Sequence, residues 1–365
     1  MKIAYIINSI ECGGAQLPIP DIVDVMRKKG AAVTVFGLAA KDALAAPCME
    51  KAGITVRVRK GSTKDHVAAW RWLKRELAEF QPDLIWTSLT RASLMGHLVA
   101  RHLGVPTVHW QHSAKLKYGN SFLLRICRSS AVLWVADSPS VAEFAAKTLG
   151  VQERLECWPI FRANPLSPEA RRWHSGEPVQ IGTLGRLHAV KGYDVLCEAI
   201  RLLKDHPDLP PFQVTIAGDG PERSHLEHLI AKDNLPIRLL GHCTEPMDFL
   251  KTLHLYVQPS HWEGMCVAAH EAMSCALPVI TTPAGELPSS VLDGETGKIV
   301  PFNNAPALAA AIASMISNPE HLAVMGARSR ERVLERFGPD AFFGRGSAIM
   351  DRIKAAQPGP ASQRR

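Results

Sequence analysis

The hydrophobic pattern of the chain alternates between two periods. Short apolar runs such as Lys2–Asn8, Ala32–Leu38 and Asp83–Thr87 have the length of β-strands. Between them, segments such as Asp21–Lys29 and Val67–Glu79 place apolar residues three or four positions apart, as an amphipathic helix does. Strands that are largely apolar and alternate with helices predict an α/β fold with parallel sheets covered on both faces.

The same alternation of predicted strands and helices resumes after residues 161–178, a segment with three prolines and one glycine. A length of 365 residues suits two domains, and the segment predicts a linker between them. We predict five parts: an α/β domain over 1–160, the linker over 161–178, a second α/β domain over 179–339, a helix over 340–355, and a Pro-, Gly- and Ser-rich tail over 356–365 that is disordered.

Two glutamates lie around a predicted strand-to-helix turn in the second domain. Leu255–Gln258 predicts a buried strand and Met265–Cys275 a helix, which places Glu263 on the turn and Glu271 inside the helix. Open α/β sheets bind ligands at this end of their strands. Because a carboxylate accepts hydrogen bonds from adjacent hydroxyls, the pair suits a polyhydroxylated ligand, with a solvated helix surface as the alternative.

Two further turns suit phosphate. After the predicted strand 179–184, Arg186 and Lys191 place two cations on one loop between Gly185 and Gly192. Arginine can bind two oxygens at once and lysine acts as a point charge. Gly13-Gly14 follows the first strand, and glycine lets the backbone approach phosphate oxygens closely. Each pattern alone is common on protein surfaces, but their shared strand–loop–helix setting favours a phosphate-bearing ligand.

On these residues the chain resembles the retaining, nucleotide-sugar-dependent glycosyltransferases of family 4 (glycosyl transferases group 1). The resemblance rests on the Glu-x7-Glu motif from Glu263 to Glu271, on the loop 185–192 and on the segment Thr215–Pro221. It implies the GT-B fold, in which two Rossmann-like domains with parallel sheets face a deep interdomain cleft. It also implies that the C-terminal helix returns to the first domain.

The resemblance implies a role for each motif residue. Glu271 would accept hydrogen bonds from the ribose hydroxyls, and Glu263 would hold hydroxyls of the transferred sugar. Arg186 and Lys191 would neutralise the diphosphate leaving group. The remaining nucleotide-sugar contacts would come from glycine-rich turns and from backbone N–H groups at the start of the helix, at Gly13, Gly14, Gly185, Gly264, Met265, Cys266 and Val267.

His112 is the catalytic candidate of the first domain. Family members carry a histidine at this strand end, near the anomeric carbon, whereas strand alternation would bury His109. The alternative for His112 is a core or helix-capping histidine. A zinc site would lack a third nearby ligand, and no Asp-x-Asp pair is present. We therefore expect no metal and no cofactor, with the nucleotide sugar bound as donor substrate.

The implied function is a retaining, metal-independent hexosyltransferase. It would move a hexose from a nucleotide diphosphate sugar to a glycan or lipid-linked acceptor, in the synthesis of cell-surface polysaccharide or lipopolysaccharide. A UDP-sugar is favoured as donor and GDP-mannose comes next. Two alternatives stay open: another GT-B enzyme, such as a sugar-nucleotide epimerase or a sucrose-type synthase, and a non-catalytic partner protein that binds a nucleotide sugar or a glycan.

Three segments depart from the family pattern. Trp158–Arg162 stands where the family has a Pro-Asn-Gly signal, and Leu253-His254 where it has Ala-Asp. The turn Gly285–Ser289 lacks the usual second glycine, which leaves a contact near the donor sugar in doubt.

The positive charge is concentrated in the first half of the chain. Residues 1–160 hold 21 Lys and Arg against 13 Asp and Glu, whereas the remainder holds 21 against 22. This excess could bind anionic lipid headgroups. The alternative is a basic surface that only keeps the protein soluble. The candidate lipid-binding cluster is Arg57, Arg59, Lys60, Lys64 and Lys74. Nucleic acid is not an expected partner, because no recognition motif accompanies the charge.

The sequence also favours a cytoplasmic location. It shows no signal peptide and no apolar run of the roughly 18–20 residues that a membrane span needs. Its eight cysteines have no framework spacing and suit reduced thiols. The expected location is the cytoplasm, with a peripheral position on the inner face of the cell membrane if the lipid interpretation holds.

Overall fold

The computed structural model describes residues 1–11 and 13–356, and their contacts divide them into two compact units. Unit one comprises residues 1–162 together with the chain from Asp340 onward, and unit two comprises Ala163–Pro339. The predicted tail lies outside the described residues except for Ala356, which ends the last helix.

Unit one is built on a parallel sheet. Among the described residues seven strands pair in the order β3-β2-β1-β4-β5-β6-β7. The strands, in chain order, are β1 (Lys2–Ile7), β2 (Ala32–Gly37), β3 (Thr55–Val58), β4 (Leu84–Ser88), β5 (Thr107–Gln111), β6 (Ala131–Ala136) and β7 (Leu155–Cys157). The strand order reverses between β1 and β4, which is where a parallel α/β sheet opens a crevice for ligands.

Helices connect these strands. They are α1 (Ile19–Lys28), α2 (Ala46–Lys51), α3 (His66–Phe80), α4 (Thr90–Leu103), α5 (Tyr118–Cys127) and α6 (Pro139–Leu149). The strands at the centre of the sheet are almost entirely buried, with Ile3 to Ile7 of β1 fully inaccessible, whereas the edge strands β3 and β7 are partly exposed. This agrees with the apolar runs in the sequence, because a parallel sheet with helices on both faces has no solvated side.

Unit two has the same architecture. In its described residues six parallel strands pair in the order β10-β9-β8-β11-β12-β13. They are β8 (Val179–Leu184), β9 (Phe212–Ala217), β10 (Ile237–Gly241), β11 (Leu255–Gln258), β12 (Val279–Thr281) and β13 (Gly297–Ile299). The helices are α7 (Tyr193–Leu203), α8 (Arg223–Asp233), α9 (Pro246–Leu250), α10 (Val267–Ser274), α11 (Leu287–Ser290), α12 (Ala305–Ile316) and α13 (Glu320–Phe337). Two parallel sheets flanked by helices confirm the α/β class.

The last helix, α14 (Pro339–Ala356), packs on unit one. The ring of Phe342 lies 5.3 Å from that of Trp158, which stacks in turn on Trp110. A Cβ added to Gly346 would overlap the Trp158 ring, so glycine allows the helix to approach this closely. Lys29 adds an ion pair of 2.7 Å to the helix at Asp351.

Residues 163–178, within the predicted linker, are bonded to unit two. The N–H of Ala163 donates to Phe337 O at 2.8 Å, and the N–H of Arg171 donates to Lys251 O at 3.0 Å. The Trp173 indole N–H donates to Glu177 O at 2.8 Å. The segment has no helix or strand, but its backbone is anchored at several points.

Among the described residues, none of the helices combines the length and the apolar composition needed to cross a bilayer.

Candidate functional site

The candidate site of unit two lies where β8 and β11 end side by side in the middle of the sheet. Backbone hydrogen bonds join the loops that follow these strands: the N–H of His261 donates to Val190 O at 2.9 Å. Gly192 has a φ of +66°, and a Cβ there would overlap the carbonyl oxygen of Pro259. This close backbone contact brings the predicted phosphate loop 185–192 against the predicted sugar-binding turn.

Lys191 and Glu263 form the centre of this arrangement. The Lys191 Nζ donates to Glu263 Oε1 at 2.8 Å, and the two side chains are only 20% and 9% exposed. Burial opposes the charge of Lys191, but the attraction of Glu263, with smaller contributions from Cys266 and Tyr193, outweighs it and raises the pKa of the ammonium. The sequence analysis assigned these residues to phosphate and sugar separately, and the structure pairs them.

A buried polar network supports Glu263 from below. Ser260 donates its hydroxyl to Glu263 Oε1 at 2.6 Å, and Gln258 Nε2 donates to the Ser260 Oγ at 2.7 Å. The Tyr256 hydroxyl donates to Gln258 Oε1 at 2.8 Å. Sequence reasoning missed these three residues. The signal that could have revealed them is the placement of polar side chains at every second position, two on β11 and the third just after its end.

The start of α10 offers unpaired backbone donors. Cys266 precedes the helix with a φ of +60°. Within residues 1–11 and 13–356, no acceptor receives the backbone N–H of Cys266, Val267 or Ala268. Free N–H groups at the start of a helix attract anions because they point out of the helix end and because the helix dipole places a partial positive charge there. The thiol of Cys266 is buried, which raises its pKa well above the usual value.

Glu271 lies one turn further along α10. Burial raises the pKa of its carboxyl from 4.5 to about 7. In the described part of the chain its carboxylate has no ion-pair partner. A carboxylate without internal donors can accept hydrogen bonds from a ligand, and ligand hydroxyls would then favour its ionised form.

Arg186 and Gly185 begin the loop after β8. Arg186 is exposed, and no acidic side chain of the described residues pairs with it. A Cβ on Gly185 would lie 2.8 Å from the hydroxyl of Tyr193. Burial raises the pKa of that hydroxyl to about 12. Lys191 is thus held by its ion pair with Glu263, whereas Arg186 is exposed to solvent.

The unusual turn after β12 is explained by an internal ion pair. Glu286 is 1% exposed and its carboxylate pairs with Arg336 of α13. The N–H of Glu286 donates to Gly264 O at 2.9 Å, which ties the turn to the Glu263 loop. A Cβ on Gly285 would overlap that same carbonyl oxygen. Glu286 thus anchors the turn to α13.

A second polar cluster lies at the carboxyl end of the unit one sheet. His112, directly after β5, has its Nδ1 2.9 Å from Asp137 Oδ2 and its Nε2 2.7 Å from Ser88 Oγ. Its ring stacks on Trp110 at 5.6 Å. The cluster joins the ends of β4, β5 and β6, and sequence reasoning missed Ser88 and Asp137 because only strand order brings them to His112.

His109 is buried, as strand alternation predicts, and the predicted glycines of unit one lie in a turn. His109 is fully buried, with its Nδ1 2.5 Å from Thr87 Oγ1 and its pKa lowered to about 3 by burial. Gly13 and Gly14 begin the turn before α1, where Gln16 and Leu17 donate their N–H groups to Gly13 O at 3.0 Å. Among the described residues, no three His, Cys, Asp or Glu side chains cluster as metal ligands would.

Comparison with known proteins agrees with this geometry. Residues 169–332 match the family model described as Glycosyl transferases group 1, and residues 13–161 match that of Glycosyltransferase Family 4. A D-inositol 3-phosphate glycosyltransferase of Kribbella flavida is 26% identical over 363 residues, which cover 87% of this chain and 85% of that protein. The glycosyltransferase MJ1178 of Methanocaldococcus jannaschii is 33% identical over 144 residues, 39% of either chain.

The fold has solved counterparts. The Anabaena protein Alr3699/HepE, solved in complex with UDP-glucose, superposes with a TM-score of 0.81 over 98% of this chain and 100% of its own, at 19% identity. Identity this low shows the fold alone. The two family matches and this fold show that the chain belongs to the glycosyl transferases group 1, with the two-sheet GT-B fold.

Proposed function

We propose that the protein is a retaining glycosyltransferase that transfers a hexose from a nucleotide diphosphate sugar to a glycan or lipid-linked acceptor. The observation that carries this proposal is the buried pair of Lys191 and Glu263, 2.8 Å apart, beside the unpaired N–H groups at the start of α10. The cation and the free backbone donors suit the diphosphate, and the carboxylate suits hydroxyls of the sugar.

The donor would be divided among these groups. Lys191, Arg186 and the start of α10 would neutralise the diphosphate, so we propose that the transfer needs no metal. Glu271 would accept hydrogen bonds from the ribose hydroxyls, and Glu263 those of the transferred sugar. Glu263 is held by Ser260 and Lys191, and a pre-positioned group of this kind loses little entropy on binding.

The proposed chemistry is a front-face substitution. The bond between the anomeric carbon and the phosphate oxygen breaks, and the acceptor oxygen forms its bond to that carbon on the same face. The acceptor hydroxyl gives its proton to an oxygen of the leaving diphosphate. Positive charge around the diphosphate stabilises this leaving group, and no protein nucleophile takes part.

The acceptor would bind to unit one. His112, Ser88 and Asp137 form a polar cluster at the ligand-binding end of its sheet. When the Nδ1–H of His112 donates to Asp137, the Nε2 of His112 is an acceptor, and a sugar hydroxyl could replace the Ser88 hydroxyl there.

The UDP-glucose bound to the Anabaena counterpart supports uridine as the base of the donor, with GDP-mannose as the next choice of donor.

A nucleotide panel tests the donor. The melting temperature of the full chain is measured with UDP, GDP, ADP and TDP, since a ligand at 100 times its Kd stabilises the folded state by about 2.7 kcal/mol. UDP is expected to give the largest increase. The absence of an increase with all four would overturn the proposal.

Two glutamate variants test the division of roles. Glu271→Ala should weaken binding of bare UDP, whereas Glu263→Ala should leave that binding nearly intact and lower the transfer rate. Transfer to a panel of simple glycosides, followed by NMR of the anomeric proton of the earliest product, tests retention. Equal losses of UDP affinity in both variants would contradict the assigned roles, and an inverted anomer would contradict the mechanism.

A further inference from the structure

Two of the five cations that the sequence suggested as a lipid-binding cluster are neutralised within the protein. Arg59 is 7% exposed and pairs with Asp65. Arg57 pairs with Glu76 at 3.0 Å and with Glu79 at 3.4 Å. Charges neutralised in this way attract lipid headgroups weakly, which leaves Lys60 and Lys64 as the exposed lysines of that cluster.

Helix α5 exposes an unusual set of large apolar side chains. Tyr118 is 91% exposed, Phe122 59% and Ile126 60%. Their spacing of four residues places them in one row along the helix, and Leu123, 46% exposed, lies beside that row. On the opposite side Leu124 is fully buried and packs in the core of unit one. The helix is therefore held by one side and presents an apolar side to solvent.

In the sequence on either side of α5 the charges have one sign. The sequence has no Asp or Glu between Asp83 and Asp137, a stretch with six basic residues. Of these, Lys117 immediately precedes the helix and Arg125 lies within it, and both are exposed. Apolar side chains that include aromatic residues, flanked in the sequence by cations and by no acidic residue, are the pattern of a helix lying in the interface of an anionic bilayer.

From this pattern we propose that the exposed side of α5 (Tyr118, Phe122, Leu123 and Ile126) binds the surface of an anionic membrane. The apolar side chains enter the boundary between headgroups and acyl chains, and Lys117 and Arg125 contact lipid phosphates. Charge complementarity selects this occupant over a second copy of the chain, because two copies would bring the same cations together. The inference does not rest on the proposed transfer reaction.

Vesicle flotation tests the inference. Wild-type protein is mixed with two kinds of vesicle, one of phosphatidylcholine alone and one in which phosphatidylglycerol makes up one third of the lipid. Each mixture is prepared at low and at high salt. We expect binding to the anionic vesicles only, and its loss at high salt, because exposed charges are screened within about 8 Å at physiological ionic strength.

Matched variants locate the surface. Phe122→Ser with Ile126→Ser should weaken vesicle binding at least about 10-fold. Lys117→Gln with Arg125→Gln should weaken it roughly 30-fold, since each cation near an anionic surface contributes about fivefold. The control Lys60→Gln with Lys64→Gln removes the same charge from exposed positions elsewhere on unit one and should leave binding unchanged. All four positions of the α5 variants are exposed, so melting temperatures should match the wild type.

Three outcomes would overturn the inference. Wild-type protein that fails to float with anionic vesicles at low salt contradicts it directly. Equal losses in the α5 variants and in the Lys60/Lys64 control would show binding by net charge alone. A wild-type dimer in solution that Phe122→Ser with Ile126→Ser converts to a monomer, without vesicle binding, would identify the α5 surface as a contact between two copies of the chain.

Discussion

At the scale of residues, the ion pair of Lys191 and Glu263 depends on both partners. Each charge is largely removed from water, and each is compensated mainly by the other, at 2.8 Å. Removing one partner of such a pair leaves a buried charge uncompensated, which is costlier than removing both. The pair is thus both a structural contact and the proposed contact to the donor.

We predict that Lys191→Ala lowers the transfer rate by at least about 100-fold, because deleting one preorganised charge-stabilising group costs about 3 kcal/mol. The measurement is the rate with saturating donor. Lys251→Ala, which removes an exposed lysine paired with Asp248 in the same unit, is the control and should keep its activity. Activity near wild type in Lys191→Ala would contradict the proposed role.

Glu271 makes stability depend on pH in a specific window. Its folded-state pKa lies near 7, raised by burial from the usual 4.5. Between these values the folded state binds more protons than the unfolded state, so the free energy of unfolding falls as pH rises through the window. The contribution is present below about pH 4.5 and lost above about pH 7.

Glu271→Gln should remove this part of the pH dependence. We expect wild-type protein to lose about 1–2 kcal/mol more stability than the variant between pH 5 and pH 8, a reduced value because the carboxylate remains partly exposed. Urea unfolding of both proteins at the two pH values measures the difference. The same pH dependence in both would show that Glu271 titrates normally.

At the scale of elements, backbone contacts between loops position the donor site. The loop after β8 touches the loop after β11 at Gly192, and the turn before α11 touches the Glu263 loop at Gly285. Both glycines have positive φ, and neither has room for a side chain. These contacts bring side chains from separate strands to within hydrogen-bonding distance.

We predict that Gly192→Ala destabilises unit two more than Gly294→Ala does. Both glycines have left-handed backbones, with φ of +66° and +80°, so both variants carry the left-handed penalty of about 1–2 kcal/mol. Only at Gly192 does the added Cβ overlap another atom, the oxygen of Pro259, whereas Gly294 has open space. Thermal unfolding compares the two, and equal losses would show that the loop contact can relax freely.

At the scale of the whole molecule, the chain completes unit one with its last helix. Helix α14 follows unit two in sequence, yet it packs on Trp158 and on Lys29 of unit one. Unit one therefore requires residues from both ends of the described chain. Its stability depends on a helix that is synthesised after all of unit two.

We predict opposite effects for two glycines of α14. Gly344→Ala, in open space, should stabilise the helix by roughly 0.5–1 kcal/mol. Gly346→Ala places a Cβ into the ring of Trp158, and overpacking of this kind costs typically 1–3 kcal/mol. The unfolding of unit one, followed by tryptophan fluorescence, measures both effects. A stabilising Gly346→Ala would show that α14 does not depend on close contact with Trp158.

Much of the fold was predictable from local pattern. The predicted strand 179–184 matches β8, and the predicted strand Lys2–Asn8 and helix Asp21–Lys29 differ from β1 and α1 by one or two residues at their ends. The chief differences are at short elements such as β7 and α2, whose three and six residues are too few to show a period. Glu263, Arg186 and Lys191 could be singled out because each stands at a recognisable turn, and Glu271 because it completes the Glu-x7-Glu motif inside the following helix.

The sequence by itself determined which residues form strands and helices and which turns carry chemical groups, because side-chain periodicity follows from backbone geometry over a few residues. Only the tertiary structure decided which of those groups meet. Lys191 and Glu263 are 72 positions apart and pair because β11 lies beside β8 in the sheet. His112, Ser88 and Asp137 meet for the same reason, since strand order is set by long-range packing that no local pattern records.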